Sequence, residues 1–90
     1  MVPTHDSAKK RVRQNAKRRL RNKDIRTRLT NCARSFEKTL AEGDIDAAST
    51  AAAKVESVYN RAVSKGVIPK ARAARKISRV NQRLNAAKNA

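Results

Sequence analysis

Ninety residues with a formal net charge of +16 and a hydrophobic fraction of 39% suit one small core carrying a large excess of cations. Cys32 is the only cysteine and His5 the only histidine, which excludes a disulfide within the chain and a His/Cys metal cluster. No run of about 18 apolar residues is present to span a membrane, and the N-terminus lacks the apolar stretch of a secretory signal, so the chain reads as soluble and intracellular.

The charge is uneven. Residues 1–30 hold 11 Lys/Arg against 2 acids, residues 31–65 hold 5 against 5, and residues 66–90 hold 7 against none. Self-repulsion of that size weakens a compact state, and a polyanion would neutralise it; nucleic acid is the leading partner.

After the leader, Gly and Pro interrupt the chain only at Gly43 and at the pair Gly66 and Pro69. Ala, Leu, Arg, Lys, Gln and Glu dominate the three segments so marked, and no strand-like alternation occurs. The fold class is therefore all-α, a three-helix bundle in a single domain over 1–90. The expected elements are a leader over 1–6 and helices over 7–41, 44–65 and 69–88.

The first helix is expected to start after Asp6 or Ser7, either of which can accept from the free N–H groups of the first turn. Its second half carries Ile25, Leu29, Cys32, Ala33, Phe36 and Leu40 on one face, which predicts burial. In its first half Ala8, Val12, Ala16 and Leu20 recur every four residues, a row that drifts by about 40° per step and ends almost opposite Leu29. One straight helix cannot aim both rows into one bundle, so the basic N-terminal half should extend beyond the core.

The second helix has Asp44 as its expected N-cap and an alanine-rich stripe of Ala48, Ala51, Ala52, Val55, Val58, Tyr59 and Ala62. Gly66 supplies a left-handed end with Val67 and Ile68 covering the last turn, and Pro69 starts the third helix. There Ala73, Ala74, Ile77, Val80 and Leu84 mark the core face, and Lys70, Arg72, Arg75, Lys76, Arg79 and Arg83 cover most of the rest. The core should centre on Leu29, Phe36, Val55, Tyr59, Ile77, Val80 and Leu84. Short connections make sequential helices antiparallel, so the first and third run together and can present one basic surface.

The run from Lys9 to Lys23 is the strongest functional signal. Closely spaced Lys and Arg on a helix suit a phosphate backbone, whose condensed counterions are released on binding, and Gln14, Asn15 and Asn22 add groups for sugar or base contacts. A basic zipper would need longer heptads than Gly43 allows. Phe36 and Tyr59 both lie on core stripes, which leaves no stacking platform for single-stranded bases. Cys32 reads as a buried hydrophobe and His5 as a solvated or phosphate-facing leader residue. With no activated nucleophile or glycine-rich loop, no enzyme activity, catalytic residue, cofactor or metal site is expected; Glu42, Asp44 and Asp46 are accounted for by capping and the helix dipole. A DNA-compacting protein and a membrane-active basic helix stay open as alternatives, the second weakened by the thin apolar row.

Ser7 to Lys23 (SAKKRVRQNAKRRLRNK) and Gly66 to Leu84 (GVIPKARAARKISRVNQRL) closely resemble the bacterial small-subunit ribosomal protein S-twenty family, and the similarity spans essentially the whole chain. The resemblance implies a structural constituent of the small ribosomal subunit that binds rRNA directly and supports assembly. It implies small-subunit rRNA as partner, other small-subunit proteins as neighbours, and no membrane or small-molecule substrate. The location it implies is the cytoplasmic ribosome, with an organellar one left open. The family's RNA-contacting positions fall on Ser7, Lys9, Lys10, Arg11, Arg13, Gln14, Asn15, Lys17, Arg18, Arg19, Arg21, Asn22 and Lys23, and on Lys70, Arg75, Lys76, Ser78 and Arg79. The chain departs from the family pattern at Asp6, often a Lys, at Asp24, and in the leader Val2-Pro3-Thr4-His5.

Overall fold

A computed structural model describes residues 5–90, with side chains from Ser7 onward. Three helices follow one another: α1 (His5–Ala41), α2 (Ile45–Ser64) and α3 (Lys70–Lys88). Helix α1 already includes His5, so Asp6 and Ser7 are helical positions and not the expected cap; no Gly or Pro stands there to stop the helix from starting earlier. The remaining leader residues, and the His5 side chain, lie outside the described residues.

The two turns share one design. Gly43 at φ +77° and Gly66 at φ +73° hold the left-handed conformation that ends a helix. At the first turn the Gly43 N–H donates to Leu40 O (3.1 Å) and the Asp44 N–H to Thr39 O (3.3 Å). At the second, Gly66 N–H donates to Val63 O and Val67 N–H to Ala62 O, both at 2.9 Å. These paired bonds satisfy carbonyls that a helix end would otherwise strand.

Asp44 acts twice. Its N–H closes α1, and its carboxylate Oδ1 accepts from the Ala47 N–H at 3.1 Å to open α2. Pro69 is the residue before α3 and not its first helical position: at φ −67° and ψ 147° it is extended, and its carbonyl accepts from Ala73 N–H at 3.2 Å.

Helix α2 packs along both of the others, and the Cα envelope of 65 × 22 × 13 Å is long and wider than it is thick. One cluster joins Cys32 and Phe36 of α1, Ala48, Ala52 and Val55 of α2, and Val80 and Leu84 of α3. A second, at the Gly66 end, joins Ile25, Leu29, Ala62, Ile68 and Ala73. Val58 and Tyr59 bridge the two. Fully buried alanines at 48 and 62 let α2 approach its neighbours closely, at the expense of apolar area per residue.

Of the positions expected on the buried faces, Ala74 is exposed, and Ala33, Leu40, Ala51, Val58, Tyr59 and Ile77 are half-buried. Helix α3 rests chiefly against α2, so its buried face is narrow. Ala73, Val80 and Leu84 occupy it, and Ala74, about 100° around the helix from Ala73, falls off its edge. Cys32 is 4% exposed and its thiol donates to Leu29 O at 3.2 Å; burial pushes its pKa above the ordinary value, which fits an inert core residue.

Phe36 is the largest fully buried side chain, so Phe36→Ala is expected to destabilise the free protein by about 3–5 kcal/mol, read by urea or thermal unfolding. A Cβ at Gly66 would meet no atom within 4 Å, so only backbone strain opposes a side chain there. Gly66→Ala should therefore cost about 1–2 kcal/mol, and Gly66→Asn measurably less, because Asn tolerates the left-handed region.

Candidate nucleic-acid interface

The 37 residues of α1 make it about 55 Å long at 1.5 Å per residue, against about 30 Å for the 20 residues of α2. Its first buried residue is Ile25; every residue from Ser7 to Arg21 is exposed. Val12 and Leu20, at 68% and 64% exposed, confirm that the drifting apolar row finds no core. The N-terminal half therefore projects from the bundle as a rod.

All the positions proposed on this rod lie on one helix, at about 100° per residue. Lys9, Lys10, Arg11, Arg13, Lys17, Arg18, Arg19, Arg21 and Lys23 thus point around its whole circumference, and Gln14 and Asn15 fall between them. They do not form one face: a rod charged on every side suits insertion among several phosphate backbones better than docking on a plane. Ser7, at its start, is exposed and carries an interaction of its own.

On α3, Lys70, Arg75, Ser78 and Arg79 are exposed and Lys76 is half-buried. No side chain caps α3, and its first turn holds no acid, so its positive dipole end is left beside Lys70 and Arg72. Among the described residues a single ion pair forms, Arg83 of α3 with Glu37 of α1, and both side chains are about half exposed. The other cations have no carboxylate partner among the described residues.

Three adjoining depressions join the two basic regions. The first, along α1, is lined by Arg19, Asn22, Lys23, Arg26, Thr30 and Arg34 among others. The second lies where the three helices meet and shares Arg26 and Thr30 with the first, adding Leu29, Tyr59, Ile68 and Arg72. The third runs between α2 and α3, shares Tyr59 and Arg72 with the second, and adds Arg75, Lys76 and Arg79. The result is a continuous cationic track from the base of the rod to the middle of α3.

The track brings Arg19, Asn22 and Lys23 into line with Arg75, Lys76 and Arg79. It leaves Lys10, Arg11 and the other early cations out on the rod. Arg26, Arg34, Arg72 and Tyr59 were not among the site residues expected from sequence. Arg26 and Arg34 fall in or beside the charge-balanced middle segment, and Tyr59 was assigned to the core; only Arg72 had a sequence signal, as a cation opposite the α3 apolar stripe. Tyr59 is half-buried: it packs against both core clusters, as its place on the apolar stripe implied, and also opens onto two depressions, whereas Phe36 is fully buried.

Two polar features of the track bear on its ligand. The Asn22 Oδ1 is a buried acceptor without a donor among the described residues, which is costly unless a ligand or solvent supplies one. The Thr27 and Thr30 hydroxyls donate to Lys23 O (2.9 Å) and Arg26 O (3.1 Å), so their oxygens face outward as acceptors. No group of three His, Cys, Asp or Glu able to hold a metal occurs among the described residues, and none of their helices is long and apolar enough to cross a membrane.

Comparison with known proteins places these features in a family. The family model described as "Ribosomal protein S20" matches residues 3–85. The small ribosomal subunit protein bS20 of Syntrophobacter fumaroxidans is 42% identical over 85 residues, covering 94% of this chain and 99% of that one. The bS20 of Aquifex aeolicus is 42% identical over 96% of this chain and 92% of its own. That of Rubrobacter xylanophilus is 40% identical over 83% and 89%. With a family model covering nearly its whole length and relatives matched end to end, the chain belongs to the ribosomal protein S20 family.

Proposed function

We propose that this protein is a structural constituent of the small ribosomal subunit that binds rRNA directly through the α1 rod and the cationic track, and supports subunit assembly. It works as a single RNA-binding domain on ribosomes of the cytoplasm, beside other small-subunit proteins, and catalyses no reaction. The observation that carries the reading is the exposed half of α1, where closely spaced cations with no carboxylate partner among the described residues project about 25 Å past the core. A phosphate backbone offers the matching line of charge.

Ser7, Lys9, Lys10, Arg11, Arg13, Gln14, Asn15, Lys17, Arg18, Arg19 and Arg21 meet the RNA from the rod, Asn22 and Lys23 from its base, and Lys70, Arg75, Lys76, Ser78 and Arg79 from α3. RNA fits better than DNA because a ribose 2′-hydroxyl can donate to the exposed Thr27 and Thr30 oxygens, and DNA lacks that hydroxyl.

Deleting residues 1–20 removes seven cations (Lys9, Lys10, Arg11, Arg13, Lys17, Arg18 and Arg19) and no buried residue among those described. The remaining bundle should keep its helical circular dichroism and a cooperative thermal transition. Its binding to small-subunit rRNA should show a slope of log affinity against log salt shallower by about 3–5 units. Collapse of α2 and α3 would show that the rod supports the core, and an unchanged slope in a folded bundle would remove the rod from the interface.

A further inference from the structure

The track has a midpoint that charge alone does not explain. Tyr59 is the one aromatic residue of the chain that is not sealed in the core, and it lines both the depression at the three-helix junction and the one between α2 and α3. Arg72 lines both with it. Around this ring stand Arg26 from α1 and Arg75, Lys76 and Arg79 from α3. No ion pair with a described residue engages any of these cations, and no described donor or acceptor engages the Tyr59 hydroxyl.

A half-buried aromatic ring ringed by free guanidinium groups is poorly matched to a continuous duplex. Stacked base pairs hide their faces, and only phosphates and groove edges would reach the track. An unpaired nucleotide is different, since its base has a free face for the ring and its two flanking phosphates lie within reach of cations on either side. An acidic peptide would satisfy the cations and leave the ring unused.

We propose that the Tyr59 junction is a binding site for a single unpaired RNA nucleotide, its base stacked on the tyrosine and its flanking phosphates held by Arg26 and Arg72 on one side and by Arg75 and Arg79 on the other. The site needs all three helices, so it exists only in the folded bundle. It rests on the rRNA-binding reading and adds to it a position at which bulged or looped RNA is preferred over paired RNA.

The test compares two short RNA duplexes that differ only in one bulged adenosine, binding to the full chain at fixed salt. The bulged duplex should bind about tenfold more tightly, as a single base–aromatic stack provides. Tyr59→Leu, which keeps apolar bulk against the core, should weaken binding of the bulged duplex about tenfold more than that of the paired duplex and so erase the preference, whereas Tyr59→Phe should keep it. With the wild-type chain, a fluorescent adenine analogue at the bulge should be quenched on binding, a readout that does not depend on any variant folding. Equal affinity for the two duplexes, a preference that survives Tyr59→Leu, or an unquenched analogue would overturn the proposal, as would polyglutamate competing as well as bulged RNA of equal charge. Tight binding to the paired duplex without bulge preference would reject the nucleotide site alone, whereas failure to bind either RNA would reject the rRNA-binding reading itself.

Discussion

Repulsion among 23 basic side chains, offset by seven acids and by one ion pair among the described residues, constrains the rest of this structure. Cations repel least when they are spread along an extended element, and α1 does this by carrying nine Lys and Arg on an exposed rod between Lys9 and Lys23. Three of the acids serve the helices. Asp44 caps α2, Asp46 lies in its first turn, and Glu37 ties α3 to α1 through Arg83. That half-exposed pair adds little stability in water, and its main effect is to engage one arginine away from the track.

The core left after this partition is small. Phe36 and Val55 are the largest fully buried side chains among the described residues, and alanine fills much of the α2 interface. Helix ends consequently carry more of the specification than in a larger domain: two left-handed glycines and one aspartate set both reversals, and the reversals place the start of α3 beside Ile25 and Leu29. That placement carries the Arg72 to Arg79 face of α3 to the base of the rod. Packing and electrostatics thus meet at one junction, where Ile68 and Leu29 form apolar wall and Arg26 and Arg72 form charged rim of the same depression.

Much of this was legible in the residues. The two glycines marked the turns because only a residue without Cβ sits easily at positive φ, and the drift of Ala8, Val12, Ala16 and Leu20 marked the rod because a four-residue row cannot stay on one side of a helix. The width of the α3 buried face was not legible, since an apolar stripe does not reveal how many neighbours a helix has; Ala74 was therefore placed inside when it is exposed. The joining of Arg26, Tyr59 and Arg72 was also hidden. These residues come from three helices, and only the packing of the bundle brings them to one surface.

Lysine footprinting with an acetylating reagent tests the proposed interface most directly, because lysines sample the rod, the track and the remaining surface in one experiment. On binding small-subunit rRNA, Lys9, Lys10, Lys17, Lys23, Lys70 and Lys76 should become protected, while Lys38 on α1 and Lys54 on α2 keep their free-state reactivity. Uniform protection of all lysines would indicate non-specific charge neutralisation, and unchanged reactivity of Lys9 to Lys23 in the complex would contradict the assignment of the rod to RNA.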